Sequence, residues 1–352
     1  MSLKQQLIAR ITAEGPVSIA DYMAEALTHP TYGYYMTADP LGAKGDFTTA
    51  PEISQMFGEL LGLCLAQAWL NQGAPTPFNL AELGPGRGTL MADILRATRS
   101  VPGFVDGCQI CLIEASPVLR AAQRDQLSQY DPVWLDRVND LSQAPLFLVA
   151  NEFFDALPIR QFQRDGKGWR ERRVGVDDDA LCLGLGQMQA QPALDHRLPD
   201  TRDGDIVEHC PSAGPIIETL TERIARHGGA ALVIDYGDWR SLGDTLQALR
   251  HHEAADPFAN PGAADLTAHL DFEALAMAAR CAYTRLTPQG VFLERLGITQ
   301  RAQRLAQQLS GERQESHIAA HRRLTHPDEM GNLFKVIGFY PETAEAPPGL
   351  DT

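Results

Sequence analysis

The spacing of apolar side chains changes several times along the chain, and each change predicts an element. Residues 3–13 and 18–28 place apolar side chains at helical intervals. Gly15-Pro16 separates the two helices, and Ser18-Ile19-Ala20-Asp21 has the form of a capping box at the start of the second. A third helix is expected from Pro51 to Leu70, with Thr49 as cap and the proline in its first turn. The intervening residues 29–50 are rich in Gly, Pro and Tyr, too long for a connector and too aromatic for a disordered linker, which marks them as a lid. From residue 78 the pattern alternates between short apolar runs and helical periods. Strands are expected at 78–83, 109–114, 132–135, 146–151 and 230–235, and helices at 89–98, 117–128 and 214–227. Runs at 282–287 and 333–340 raise the expected strand count to seven. Alternation of this kind predicts a mostly parallel sheet with helices on both faces.

Two stretches interrupt the alternation. Within about 161–206, Trp169 to Val174 and Ala180 to Gly184 alternate in period two around an acidic turn, the pattern of an inserted hairpin. A Gln- and Arg-rich helical insertion within about 290–330 precedes the last strand. The expected organisation is therefore an N-terminal part of helices and lid, 1–72, and a sheet-bearing domain, 73–352, that carries both insertions.

Composition narrows the chemistry. A length of 352 residues with 44% hydrophobic and 21% charged content suits a soluble enzyme. A net charge of −15, with the densest basic group (Arg170, Arg172, Arg173) followed at once by Asp177 to Asp179, argues against nucleic acid as a partner. No apolar run reaches membrane-spanning length, and the N-terminus lacks signal-peptide and transit-peptide patterns, so a cytoplasmic protein of bacterial type is expected. Cys108 and Cys111 open an apolar run that reads as a strand, where residues three apart face opposite ways. No second pair completes a zinc site, and no metal is expected.

The chemistry starts in Ala81-Glu82-Leu83-Gly84-Pro85-Gly86-Arg87-Gly88-Thr89, a glycine-rich turn between an expected strand and an expected helix. Such a turn offers bare backbone and a helix N-terminus to a nucleotide-like cofactor. A dinucleotide fingerprint would carry glycine at position 89, and a phosphate-binding loop would carry Gly-Lys-Ser/Thr; neither occurs. An acid two positions before the first glycine is instead the arrangement of class I S-adenosyl-L-methionine (SAM) methyltransferases, whose cofactor has an ammonium for that carboxylate. Further candidates fall at the carboxyl ends of later strands. Glu114 could accept both ribose hydroxyls, and Asp136 the adenine amine. After the fourth strand comes Asn151-Glu152-Phe153-Phe154-Asp155, where amino-methylating nucleic-acid enzymes carry Asn/Asp-Pro-Pro-Tyr/Phe; both prolines are missing and two carboxylates are present. Glu152 and Asp155 are candidates for binding and polarising a guanidinium, which does not simply lose a proton in a protein. Competing readings remain: a surface glutamate at a strand end for Glu114, a helix cap for Asp155, a loop brace for Glu152.

Residues Gly45 to Glu59, Glu82 to Gly88, Asn151 to Pro158, Cys210 to Gly214, Ile234 to Gly237 and Pro261 to Thr267 together resemble, in the same order, the MidA-type methyltransferases, relatives of the mitochondrial complex I assembly factor that methylates an arginine. The resemblance implies a seven-stranded class I (Rossmann-like) SAM-methyltransferase fold with SAM as cofactor. It also implies symmetric arginine methylation of a protein client, a subunit of respiratory complex I. It carries cofactor binding onto Gly84, Gly86 and Gly88. Asp46, Thr48 and Asn151 are expected at the substrate or lid. A methyltransferase-fold assembly factor with little turnover is the alternative; a nicotinamide oxidoreductase is disfavoured by Thr89.

Overall fold

The computed structural model describes residues 1–37, 48–250 and 253–352, and the chain contacts divide it into two compact units. One comprises residues 48–154, 215–237 and 274–352; the other comprises residues 1–47, 155–214 and 238–273.

The first of these units is built around the strand Phe78–Leu83, every residue of which is buried. It pairs in parallel with Leu146–Asn151 on one side and Cys108–Ile113 on the other. Val133–Leu135 extends the sheet beyond Cys108–Ile113, and Gly229–Asp238 extends it beyond Leu146–Asn151, both again in parallel. Such strands must be apolar on both faces, as Leu146 to Ala150 are, because helices cover the sheet. The last long strand, Phe334–Tyr340, runs antiparallel against Gly229–Asp238, and the two-residue strands Ala282–Tyr283 and Thr287–Pro288 run antiparallel to it. The sheet is therefore mixed, and the run expected at 282–287 is broken in two rather than forming one strand. The helix expected from Pro51 to Leu70 is also broken. Ser54, extended at φ −160°, ends Ala50–Ile53 and caps Gln55–Asn71 by accepting from the Met56 N–H. Trp69, Phe78, Phe104 and Phe147 form an aromatic cluster with ring centroids 5.1–5.7 Å apart. The segment before the last strand is helical, as Gln289–Arg295, Ile298–Ala306 and Glu312–Thr325.

In the other unit, Leu3–Glu14 and Ile19–Thr28 bury Leu3, Leu7, Ile11, Tyr22 and Met23 in one apolar cluster with Val174, Leu181 and Leu266. Ser18 caps the second helix through the Asp21 N–H, as its sequence predicts. Arg160–Asp165, Gly168–Asp177 and Ile206–His209 form an antiparallel sheet, and Ala180–Gln189 folds back on Gly168–Asp177. The turn of that hairpin, Asp178-Asp179, takes φ +44° and +62°, the paired left-handed geometry of a two-residue hairpin loop that aspartate tolerates. A second small sheet joins Gln247–Arg250 to Glu253–Ala255 and Asp265–Thr267.

Truncating the fully buried Phe104 to alanine removes the shared neighbour of Trp69 and Phe78. The expected loss is about 3–5 kcal/mol of unfolding free energy in urea titrations followed by circular dichroism. A loss below about 1 kcal/mol would show that the aromatic cluster is not a stabilising core.

Candidate functional site

The glycine turn takes the backbone conformation its residues allow. Gly84, Gly86 and Gly88 have φ of +59°, +52° and +84°, a region that side chains with a Cβ rarely enter. A Cβ on Gly84 would lie 2.9 Å from the Phe153 ring. Gly88 opens the helix Thr89–Thr98, so unsatisfied N–H groups of its first turn face the loop. Under this turn sits Glu82, 3% exposed, at the end of its strand. Its carboxyl accepts the Met91 N–H, and its Oε2 has no hydrogen-bond partner among the described residues. Burial pushes Glu82 up to about 8, with the Glu114 charge adding to the shift.

Glu114 is also buried. Its Oε1 accepts the Ser116 N–H at 2.7 Å, and its Oε2 accepts from Gln123 Nε2 at 3.3 Å. Burial raises it too, against these hydrogen bonds. Gln123, fully buried on the helix Pro117–Gln126, ties the surroundings together. Its Nε2 also donates to the Gly86 carbonyl at 2.7 Å, and its Oε1 accepts from Trp134 Nε1 at 2.8 Å. One amide thus links the glycine turn, Glu114 and the strand Val133–Leu135. Sequence reasoning passed over Gln123, which looks like any polar residue of an amphipathic helix. Asp136 lies apart from this buried group. Its side chain is 79% exposed and pairs with Arg120 at 2.6 Å, and Arg120 also donates to the Glu114 carbonyl at 2.8 Å.

At the end of Leu146–Asn151, Glu152 has φ +52°, an uncommon conformation for a non-glycine residue. Strain of this kind persists where surrounding contacts impose it, and it clusters at functional sites. The imposing contacts are visible. The Glu152 N–H donates to the Ile234 carbonyl at 2.9 Å, and its carboxylate accepts from the Ala50 N–H at 3.2 Å and Asn151 Nδ2 at 3.0 Å. The buried Oδ1 of Asn151 has no partner among the described residues. Asp235, fully buried at the end of the neighbouring strand, accepts the Phe154 N–H at 3.0 Å and so fixes the same loop. Thr89, the residue that departs from a dinucleotide fingerprint, donates to Glu52 at 2.6 Å, binding the helix after the glycine turn to the short helix Ala50–Ile53. Asp155 is buried and belongs to the other unit. The chain after it turns without forming a helix, so it is not a helix cap. Thr48 is half-buried, and Asp46 lies outside the described residues.

Glu82 titrates at about 8 in the folded chain against 4.5 ordinarily, so between those values the native state holds more protons than the unfolded state. Its favourable contribution is complete below pH 4.5 and is lost as pH rises through about 8. Glu82→Gln carries no such penalty, and its melting temperature relative to the parent is expected to rise between pH 6 and pH 9. Parallel melting curves across that range would assign the pH slope to other groups.

Comparison with known proteins agrees with this geometry. Residues 60–291 match the profile of a family of S-adenosyl-L-methionine-dependent methyltransferases. The chain is 38% identical over 372 residues to the Xenopus laevis protein arginine methyltransferase NDUFAF7, mitochondrial, covering 97% of this chain and 85% of that protein. Its human counterpart is 37% identical over 369 residues, covering 96% and 83%. A crystal structure from Burkholderia thailandensis with bound S-adenosyl-homocysteine superposes with a TM-score of 0.82 at 30% identity, covering 99% of this chain and 92% of that one. These relatives correct one expectation: the NDUFAF7 proteins are named as mitochondrial, and the cytoplasmic placement drawn from the N-terminal sequence does not stand. A buried acid under a glycine turn, a mixed α/β sheet and these similarities converge, and the chain belongs to the MidA-type family of SAM-dependent methyltransferases, with a class I methyltransferase fold.

Proposed function

We propose that this protein transfers the methyl group of SAM to the guanidinium of an arginine in a client protein. The observation that carries the reading is Glu152, a carboxylate held in left-handed backbone just after the strand next to the glycine-turn strand, beside the unpartnered Asn151 Oδ1. The relatives, named protein arginine methyltransferases, support the choice of arginine. Symmetric dimethylation and a respiratory complex I subunit as client extend the reading, and the resemblance to the MidA-type family supports them.

The residues around the glycine turn fit SAM. The orphaned Glu82 Oε2 is an acceptor suited to the cofactor's ammonium, and Glu114 has the chemistry to accept from ribose hydroxyls. Gly84, Gly86 and Gly88 hold the turn in a left-handed backbone that residues with a Cβ rarely adopt. Asp136 would meet the adenine amine only from the ion pair it makes with Arg120. When bound, SAM supplies a methyl already activated by its sulfonium. What the protein adds is alignment and a destination for one proton. Methylation leaves a guanidinium with one N–H fewer, and a carboxylate hydrogen-bonded to the reacting nitrogen can both orient it and receive that proton. Glu152 is assigned these tasks, with Asn151 and Thr48 of the same unit as substrate contacts, and Asp155, which belongs to the other unit, is proposed as a second carboxylate from the sequence alone.

Gly86→Val places a branched side chain at a backbone of φ +52° and is expected to abolish SAM binding in calorimetry; parent-like affinity would remove the turn from the cofactor site. Glu152→Gln and Asp155→Ala are expected to keep SAM affinity within about threefold while methyl transfer falls by about 10²-fold or more, the usual scale for losing a positioned acid or base. Transfer is read with labelled SAM in lysate of a deletion strain, followed by mass spectrometry of the labelled band. Label on a residue other than arginine would overturn the proposal, and parent-like rates in both variants would remove these two residues from it.

A further inference from the structure

The motif Pro261 to Thr267 is not used by the mechanism above, yet it ends in a strand, Asp265–Thr267, all three residues of which are buried. Asp265 pairs with Leu249 and Thr267 with Gln247 across the strand's ladder. Residues two apart on a strand share a face, so the Asp265 carboxylate and the Thr267 hydroxyl project to the same side. The Tyr35 hydroxyl donates to Asp265 Oδ1 at 2.8 Å, which places a phenol oxygen on that side as well. The Ala268 N–H donates to the main-chain carbonyl of Asp155 at 3.0 Å, bringing buried Asp155 to the end of the same strand. Burial and the charges of Asp265 and Asp155 hold the Tyr35 phenol well above its ordinary value.

Thr267 supplies the second observation. It is 3% exposed, and its Oγ1 has no hydrogen-bond partner among the described residues. A hydroxyl buried without a partner is a cost that valine, of the same shape, would not carry, and such groups call for an explanation. A ligand bearing N–H donors would provide one.

We propose that Tyr35, Asp155, Asp265 and Thr267 form a binding site for a guanidinium, taking an arginine side chain of the client; the identity of that ligand rests on the arginine-methyltransferase reading. The acceptors decide the chemistry. A guanidinium is planar, carries five N–H donors in a spread fork and no acceptor, and remains charged, whereas an ammonium gathers three donors on one atom. Two carboxylates, a threonine oxygen and a phenol oxygen already committed as donor to Asp265 offer acceptors distributed over several side chains, which suits the fork. The site lies entirely within the unit that contains residues 1–47, 155–214 and 238–273.

The test is a titration of the full chain, without SAM, with methylguanidinium chloride and with methylammonium chloride at matched ionic strength, read by ligand-observed NMR. Methylguanidinium is expected to bind in the millimolar range and methylammonium about tenfold more weakly. Asp265→Asn and Asp155→Asn are each expected to weaken methylguanidinium about tenfold or more, as the loss of a charge-assisted hydrogen bond does. Thr267→Val keeps the fold testable: it is expected to weaken binding about threefold while its melting temperature stays level or rises. Equal binding of the two cations would overturn the site, as would parent-like guanidinium affinity in Asp265→Asn and Thr267→Val. The assay contains no methyl donor, so it separates the two claims. Guanidinium bound at this cluster with no arginine methylation would sink the proposed activity alone, and arginine methylation with unchanged guanidinium affinity in the variants would sink the site alone.

Discussion

The arrangement depends on one costly act: a carboxyl group is carried into the interior under a turn in which three of the five residues, Gly84, Gly86 and Gly88, are glycine. Glu82 can sit there because its strand is buried on both faces and because the first turn of the helix Thr89–Thr98 lends it an N–H. A buried acid with an unused oxygen is a poor stabiliser, since desolvation outweighs the single hydrogen bond it receives. Under the proposed function the same group meets the ammonium of SAM, which would exchange folding stability for cofactor affinity. Gln123 belongs to this arrangement, because its amide holds the turn carbonyl and the Glu114 carboxylate at once and leaves neither to drift.

The loop after the fourth parallel strand shows a related economy. Glu152 occupies a backbone region that glycine would enter more easily, and contacts from the Ile234 carbonyl, the Ala50 N–H and the Asn151 amide impose it. Asp235 then pins Phe154 from the adjacent strand. A side chain required at a fixed place can be supplied by a strained residue when the framework around it is stiff. A parallel sheet with both faces covered is such a framework.

Much of this was legible in the residues because punctuation and periodicity are local. Strand, glycine turn and helix around Leu83 to Thr89 follow from an apolar run, three glycines and a helical repeat, and Glu82 and Glu114 follow from being acids at strand ends. The hairpin within Gly168–Asp177 and Ala180–Gln189 was legible from alternation around three aspartates. Features that depend on long-range register were not. Gln123 bonds groups on three different elements, and nothing near it in sequence distinguishes it from its neighbours. The break at Ser54 was hidden because serine inside a helical pattern serves equally as surface residue or cap. The pairing of Asp136 with Arg120, 16 positions away, was likewise hidden.

The way the two compact units share the chain has a consequence for biosynthesis. Each is assembled from three separate stretches, so the polypeptide passes between them five times before it ends. The strand Gly229–Asp238 must wait about eighty residues of intervening synthesis before it can join Leu146–Asn151, and Phe334–Tyr340 follows about 95 residues later still. Until Phe334–Tyr340 is made, nascent chains hold an unpaired edge on Gly229–Asp238. Holdase chaperones acting on the emerging chain would therefore have a long window of work on this protein.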